Sequence, residues 1–208
     1  MGKILWADTE TGGFSPEKNP ILELAAIVEI DDKVVDEFSI QFHPLSGQTI
    51  HPKALEVNGK TEEEISQYPP HEISMMCFKK RLDKYVNKFN TEDKFIMAGY
   101  NVGFDANFIR NAFLNNNDNY YGSYFFSCNL DVYSEIAKII SMSELRLPNY
   151  KLGTVCNAFG IEIDAHNAKS DIQATRELYY RLQKCQEEMK NTLLDKSKES
   201  LTLSTAAM

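Results

Sequence analysis

The residues best suited to chemistry are three acidic groups that lie far apart in the sequence. Asp8 and Glu10 follow the apolar run Ile4 to Ala7, which predicts a short buried strand. Because side chains alternate along an extended chain, both acids project from one face of that strand while Thr9 points away. Two carboxylates this close repel each other unless a proton or a cation lies between them. The pair is therefore a candidate cation site, and the alternative is a chance pair of acids in a solvated loop.

A second acid, Asp105, follows another predicted buried strand, Phe95 to Tyr100. If a helix begins near Asn101, then Asn101 and Asp105 lie four residues apart and share one helical face. Asn101 is a good candidate for the N-cap of that helix. We weigh this capping role equally with a role in binding substrate.

The third group is the segment His166 to Asp171, which opens a long predicted helix that continues to about Met189. The positive end of a helix dipole stabilises an acid such as Asp171, so its position also has a purely structural explanation. His166 lies in the polar segment before the helix, where an imidazole can titrate near neutrality as a general base must. Most loop histidines have no such role. The order and setting of the three groups, rather than any one of them, indicate a two-metal hydrolase.

The predicted elements place these groups in an α/β domain. Apolar runs over 24–30 and 34–42, joined by a turn at 31–33, give an antiparallel start of three strands. Strands at 95–100 and 125–130 then alternate with helices, which favours parallel strands with the functional site at their carboxyl ends.

One predicted helix carries a row of basic residues. Apolar positions between Ile73 and Phe89 predict an amphipathic helix, and Lys80, Lys84 and Lys88 line another of its faces. The row could contact phosphates, but a solvated face is the favoured interpretation.

Length and composition predict one globular domain. The chain has 208 residues, 43% of them hydrophobic and 25% charged. We predict a domain over 1–190 and a flexible tail over 191–208. No apolar stretch approaches the roughly 20 residues of a membrane span, and no signal peptide is expected. Four scattered cysteines without a C-x-x-C pair predict reduced thiols, mostly in the core, in a cytoplasmic protein.

The net charge of −8 argues at first against a nucleic-acid partner, which usually requires a basic surface. The objection is weak for an enzyme that binds only the end of a strand, because bound cations invert the local charge of a carboxylate cluster. The alternative is that the acidity serves only solubility.

Taken together, three motifs resemble the signature motifs of the DEDD exonucleases: DTETGG at 8–13, NVGFD at 101–105 and HNAKSD at 166–171. The histidine five residues before the last aspartate is typical of the histidine branch, which contains the bacterial proofreading subunit and ribonuclease T. The resemblance extends from about Lys3 to Leu182 and includes HPKALEVNG at 51–59 and LPNYKL at 147–152. Lys60 departs from it, since relatives usually carry an apolar residue there.

The resemblance implies a ribonuclease-H-like mixed sheet of five strands, three antiparallel and then two parallel, flanked by helices. It implies a 3′-to-5′ exonuclease that releases nucleoside 5′-monophosphates from single-stranded nucleic acid, with DNA favoured over RNA. Two Mg²⁺ or Mn²⁺ ions would be held by Asp8, Glu10, Asp105 and Asp171, and His166 would take the proton of the attacking water. The implied substrate-binding residues are Thr9, Thr11, Ala54, Leu55, Asn58 and Asn101.

Three alternatives stay open at this point. The fold could serve a catalytically silent nucleic-acid-binding or scaffold module, or an endonuclease of the same broad architecture. The chain could also act alone, as a homodimer, or attached to a polymerase.

Overall fold

A computed structural model describes residues 2–142, 146–163 and 167–206 of the chain. Its five strands are β1 (Lys3–Thr11), β2 (Ile21–Ile30), β3 (Lys33–Gln41), β4 (Phe95–Gly99) and β5 (Phe125–Asp131). They form one sheet in the order β3-β2-β1-β4-β5. The β1–β2 and β2–β3 pairs are antiparallel, and the β1–β4 and β4–β5 pairs are parallel. The predicted mixed sheet is therefore confirmed.

Helices cover both faces of this sheet. They are α1 (Pro52–Asn58), α2 (Glu62–Ser66), α3 (His71–Leu82), α4 (Gly103–Asn115), α5 (Tyr121–Tyr124), α6 (Val132–Met142), α7 (Leu152–Ala158) and α8 (Ala168–Ala206). In the described part of the chain, no helix is long and apolar enough to span a membrane.

The central strand β1 is buried on both faces, which divides the core into two layers. Leu5 and Ala7 point into the layer that α3 and α4 cover, whereas Trp6 points into the layer formed with α6, α7 and α8. Burial on both faces explains why this strand is an unbroken apolar run rather than an alternating one. On β4, a side chain at Gly99 would meet the backbone oxygen of Ala7 at 2.8 Å, so glycine allows the two strands to approach beside Asp8.

A buried carboxylate fixes α8 against the sheet. Glu29 on β2 is 1% exposed, and its side chain accepts hydrogen bonds from Arg176 Nε at 2.6 Å, from Trp6 Nε1 at 3.2 Å and from the Tyr180 hydroxyl. Arg176 and Tyr180 both belong to α8. Because a buried charge is tolerated only when it is paired, these contacts allow few positions of the helix along the sheet.

The helix α3 ends at Leu82, earlier than the predicted end at Phe89. Backbone N–H groups of Lys84 and Tyr85 donate to the carbonyls of Arg81 and Leu82, which turns the chain. The turn carries Val86 back into the core and leaves Phe89 90% exposed. Apolar spacing alone does not distinguish this tight turn from another helical turn.

Two further expectations differ from the structure. The helix α8 continues to Ala206, past the end predicted near Met189. All four cysteines are free, but Cys156 alone is buried, whereas Cys77, Cys128 and Cys185 are exposed. The prediction that the thiols lie mostly in the core was therefore wrong.

Candidate active site

Three carboxylates converge where β1 meets the start of α8. Asp8 and Glu10 project from the face of β1 that α8 covers, and Asp171 lies in the first turn of α8. One oxygen from each of the three lies within 4.8 Å of the others. Residues more than 160 positions apart therefore form one cluster, which we call the carboxylate cluster (Asp8, Glu10 and Asp171).

A fourth acid, Asp105, lies in the first turn of α4 and is 4% exposed. Its Oδ1 accepts hydrogen bonds from the backbone N–H of Thr9 at 2.9 Å and from the Thr9 hydroxyl at 2.7 Å. Thr9 points away from Asp8 and Glu10, as the alternation along the strand predicted. Asp105 is not one of the three mutually close carboxylates, but it lies near enough to raise the pKa of Asp8.

Burial and mutual repulsion make ionisation of this group unfavourable. Burial, followed by the charge of Asp105, raises the pKa of Asp8 well above its usual value. Burial, followed by the charge of Asp171, raises the pKa of Glu10 to about 7. Burial raises the pKa of Asp105 to about 7 even though the Thr9 hydrogen bonds oppose the shift. Near neutral pH these acids therefore bind protons unless a cation replaces them.

The cluster fits a hard divalent cation. Mg²⁺ and Mn²⁺ prefer oxygen ligands, and three carboxylates within 4.8 Å of one another supply them. The same repulsion that raises the pKa values would be relieved by such an ion. The carboxylate oxygens and the raised pKa values therefore both favour a metal ion at this position.

Lys60 adds a paired positive charge beside the cluster. Glu23 on β2 lies directly opposite Glu10 in the β1–β2 register. The Lys60 Nζ atom lies 2.6 Å from Glu23 Oε2 and 5.9 Å from the centroid of the Tyr68 ring. Its charge lowers the pKa of Glu10, in opposition to the acids. The departure of this residue from the family pattern is therefore accommodated by an ion pair.

His166 lies outside the described residues, so its predicted role as a base stays a prediction. The residue after it, Asn167, begins α8: its side-chain oxygen accepts hydrogen bonds from the backbone N–H groups of Lys169 at 3.2 Å and Ser170 at 3.3 Å. This cap sets where the helix begins, and Asp171 follows within its first turn.

The helix α1 is tied to the end of β1. Asn58 Nδ2 donates to the Thr11 carbonyl at 3.0 Å, which brings the predicted substrate residues of α1 to the edge of the site. Ala54 and Leu55 are half-buried there, and Leu55 packs against a small apolar cluster that includes Leu22. The Thr11 hydroxyl donates to the Gly13 carbonyl at 2.7 Å and so stabilises the loop after the acids.

Asn101 does not cap α4, contrary to one of the two roles considered for it. Its φ is 60°, a left-handed conformation that Asn tolerates better than most residues, and Val102 occupies the N-cap position without a side-chain cap. The Asn101 backbone N–H donates to Asp131 Oδ1 at 2.8 Å. Its exposed side chain is therefore not used to begin the helix.

One residue that the sequence analysis missed is Phe14, which lies in the loop directly after the acid pair. It is 92% exposed, and its ring centroid lies 6.5 Å from that of Phe104 in an edge-on arrangement. Phe104 directly precedes Asp105. A large apolar residue after the two glycines of the first motif was the available signal.

Comparisons with known proteins agree with this geometry. A family described as Exonuclease matches residues 5–179 of the chain. Ribonuclease T of Buchnera aphidicola is 28% identical over 190 residues, which cover 84% of this chain and 81% of that protein. The PolC-type DNA polymerase III of Lacticaseibacillus paracasei is 27% identical over 183 residues, which cover 85% of this chain and 11% of the polymerase.

A solved structure of Escherichia coli exonuclease I in complex with a dT13 oligonucleotide has the same fold. Its TM-score is 0.74 at 21% identity, over 93% of this chain and 44% of that one. The chain thus spans a small part of the PolC-type polymerase and under half of exonuclease I. Because the family match covers most of the chain, including the strand and the helices that carry the acids, this protein belongs to the exonuclease family.

Proposed function

We propose that this protein is a metal-dependent 3′-to-5′ exonuclease that releases nucleoside 5′-monophosphates from single-stranded nucleic acid, with DNA favoured over RNA. The observation that carries the proposal is the carboxylate cluster, whose oxygens lie within 4.8 Å of one another on elements covered by the family match. We assign the domain to residues 1–190 and its place of action to the cytoplasm.

The acids would act as ligands and His166 as the base. Asp8, Glu10 and Asp171 would hold one Mg²⁺ or Mn²⁺ ion, and Asp8 would contribute to a second. Bound at this position, such ions would activate the attacking water and stabilise the leaving 3′ oxygen. Asp105, fixed by Thr9, would complete the site, and His166 would accept the proton of the water.

The terminal nucleotide would lie between α1 and the loop that carries Phe14. Leu55 and Ala54 offer half-buried apolar surface on α1, and the exposed ring of Phe14 offers a face on which a base can stack. The exposed side chain of Asn101 lies at the carboxyl end of β4 and is available to the substrate. An unpaired strand suits this arrangement, because a paired end must first unstack at a cost of roughly a few kcal/mol.

Two of the similar proteins support DNA as the substrate. The exonuclease I structure contains a dT13 oligonucleotide, and the PolC-type relative is a DNA polymerase. We therefore favour DNA for this chain, and a polymerase or a second copy of the chain as its partner.

The test is digestion of 5′-labelled DNA and RNA oligonucleotides, single-stranded and in blunt duplexes, with Mg²⁺ or with a chelator. We expect products shortened one nucleotide at a time from the 3′ end, faster for single-stranded DNA, and none with the chelator. His166→Ala should reduce the rate by about 10²- to 10⁴-fold without loss of metal binding. First products from the middle of the strand would indicate an endonuclease instead, and binding without cleavage would indicate a silent module.

A further inference from the structure

A groove of about 760 Å³ lies between the edge strand β3 and the helix α3. Its floor is apolar and its α3 rim is basic, with lining residues that include Phe38, Ile40, Ile73, Cys77, Lys80 and Lys84. None of these residues belongs to the carboxylate cluster. The groove is therefore a separate feature of the surface.

Part of the charge on the basic rim is not paired within the described part of the chain. Lys79, Arg81 and Lys88 on and after α3 form ion pairs with Asp118, Asp36 and Asp83. Lys80 and Lys84 are exposed, and neither forms an ion pair with any residue in the described part of the chain. Lys80 lies in the last turn of α3, Lys84 lies in the turn that follows the helix, and both line the groove. Two unpaired ammonium groups at one groove are notable in a chain of net charge −8.

The other end of the groove lies beside the carboxylate cluster. Glu23 lines the groove and is the cross-strand partner of Glu10. Consecutive residues of the edge strand, Phe38, Ser39, Ile40 and Gln41, also line it. The groove therefore includes the free edge of the sheet and extends from Glu23 to the face that α3 covers.

We propose that this groove binds the phosphates of the single-stranded substrate several nucleotides upstream of the cleaved bond, with Lys80 and Lys84 as the phosphate contacts. The proposal rests on the proposed function. From Ile73 to Leu82 the helix spans about 14 Å at roughly 1.5 Å per residue and Lys84 lies beyond its end, so a strand of very few nucleotides does not reach both lysines. An unpaired strand can bend around the sheet edge, and its sugars and bases would contact the apolar floor, whereas a duplex is too stiff to do so.

Cys77 provides a direct measure of occupancy, because its exposed thiol lies within the groove. The wild-type chain would be treated with a maleimide in the presence of oligonucleotides of about 3 or about 15 nucleotides, with phosphorothioate 3′ ends that resist cleavage. Mass spectrometry would then give the rate of modification at each cysteine. We expect the longer strand, but not the shorter one, to slow modification of Cys77. Cys128 and Cys185, which are exposed and do not line the groove, serve as internal controls.

Variants test the two lysines separately from the chemistry. The double variant Lys80→Ala/Lys84→Ala should raise KM for the longer strand, leave kcat unchanged and leave the trinucleotide unaffected. Its salt dependence, the slope of log affinity against log salt, should decrease by about 1.4, which is roughly 0.7 for each phosphate contact on a single strand. The matched control is Lys138→Ala/Lys190→Ala, which removes two exposed lysines that do not line the groove.

The outcomes distinguish this inference from the proposed function. If short and long strands are both digested, but Cys77 reacts equally with and without the longer strand and the two double variants behave alike, the groove does not bind substrate. If no strand is digested, the proposed function fails, while length-dependent protection of Cys77 would still support a strand-binding groove.

Discussion

At the scale of single residues, the surroundings of Asp8 strongly disfavour its charged form. Burial and the charges of Asp105, Glu10 and Asp171 all raise its pKa. We expect a side chain in such surroundings to decrease the stability of the metal-free fold and to favour binding of a cation.

We therefore predict that the metal-free protein loses stability as the pH rises. In the folded state the pKa values of Glu10 and Asp105 are raised to about 7 from their usual values of 4.5 and 3.8, so the folded state retains protons that the unfolded state has released. The unfolding free energy should therefore decrease between about pH 4 and pH 7, by about 1 kcal/mol or more. Thermal denaturation in chelator across this range measures it.

Asp8→Asn should stabilise the metal-free protein at pH 8, because it removes a buried charge, and it should abolish both activity and stabilisation by Mn²⁺. The control is Asp31→Asn, which removes an exposed acid from the β2–β3 turn. Equal melting temperatures for wild type and Asp8→Asn at pH 8 in chelator would contradict the electrostatic argument.

Phe14→Ala should weaken substrate binding with little effect on folding. Phe14 is 92% exposed, so the fold loses little apolar burial, whereas loss of base stacking is worth about 1–3 kcal/mol. KM for single-stranded DNA should rise by about 5- to 160-fold. Phe89→Ala is the matched control, since that ring is 90% exposed in a different loop. A KM equal to that of wild type would exclude a stacking role for Phe14.

The common face of Asp8 and Glu10 could be predicted from the sequence because strand alternation is a local rule. The conformation of Asn101 could not. It depends on a hydrogen bond to Asp131, 30 residues later and on another strand, which only the folded sheet brings near. Lys60 was seen as a departure, but its partner Glu23 followed only from the packing of the segment after α1 against β2.

At the scale of elements, the position of α8 along the sheet decides whether Asp171 reaches Asp8 and Glu10. The buried Glu29 interacts with Arg176, five residues after Asp171 on the same helix. The contact between Glu29 and Arg176 therefore affects where Asp171 lies in the carboxylate cluster, although neither Glu29 nor Arg176 would touch a metal or the substrate.

We predict that Arg176→Met destabilises the protein by about 3 kcal/mol, because it leaves Glu29 buried without its cationic partner. Urea unfolding measures the change. The double variant Arg176→Met/Glu29→Leu should recover most of the loss, since an apolar pair needs no compensation. If the double variant is as unstable as the sum of the two single variants, the ion pair is not the cause.

The ends of helices differ in how clearly the sequence marks them. Gly160, with φ of 68°, adopts a left-handed conformation just after α7. The end of α3 has no such residue: the chain turns after Leu82 so that Val86 can enter the core. The same spacing of apolar residues fits either a further helical turn or a tight turn. Packing against the sheet decides between them, and the local sequence does not show that packing.

At the scale of the whole molecule, the order of strands and helices was sufficient to predict the mixed sheet. Apolar runs identify strands buried on both faces, and alternation with helices identifies the parallel pairs. The groove was not predictable in the same way. It exists because β3 is the sheet edge and α3 packs beside it, and the sequence separates Ile40 from Cys77 by the whole of α1 and α2.

The central place of β1 has a consequence for how the site is lost. Backbone amides at the start of β1 are hydrogen-bonded between β2 and β4 and covered by both core layers, so they should exchange with deuterium only when the entire domain opens. Asp8 and Glu10 follow on the same strand, where it pairs with β2. Fraying at the chain ends or in loops should leave the acids in register, and inactivation on heating should coincide with global unfolding rather than precede it.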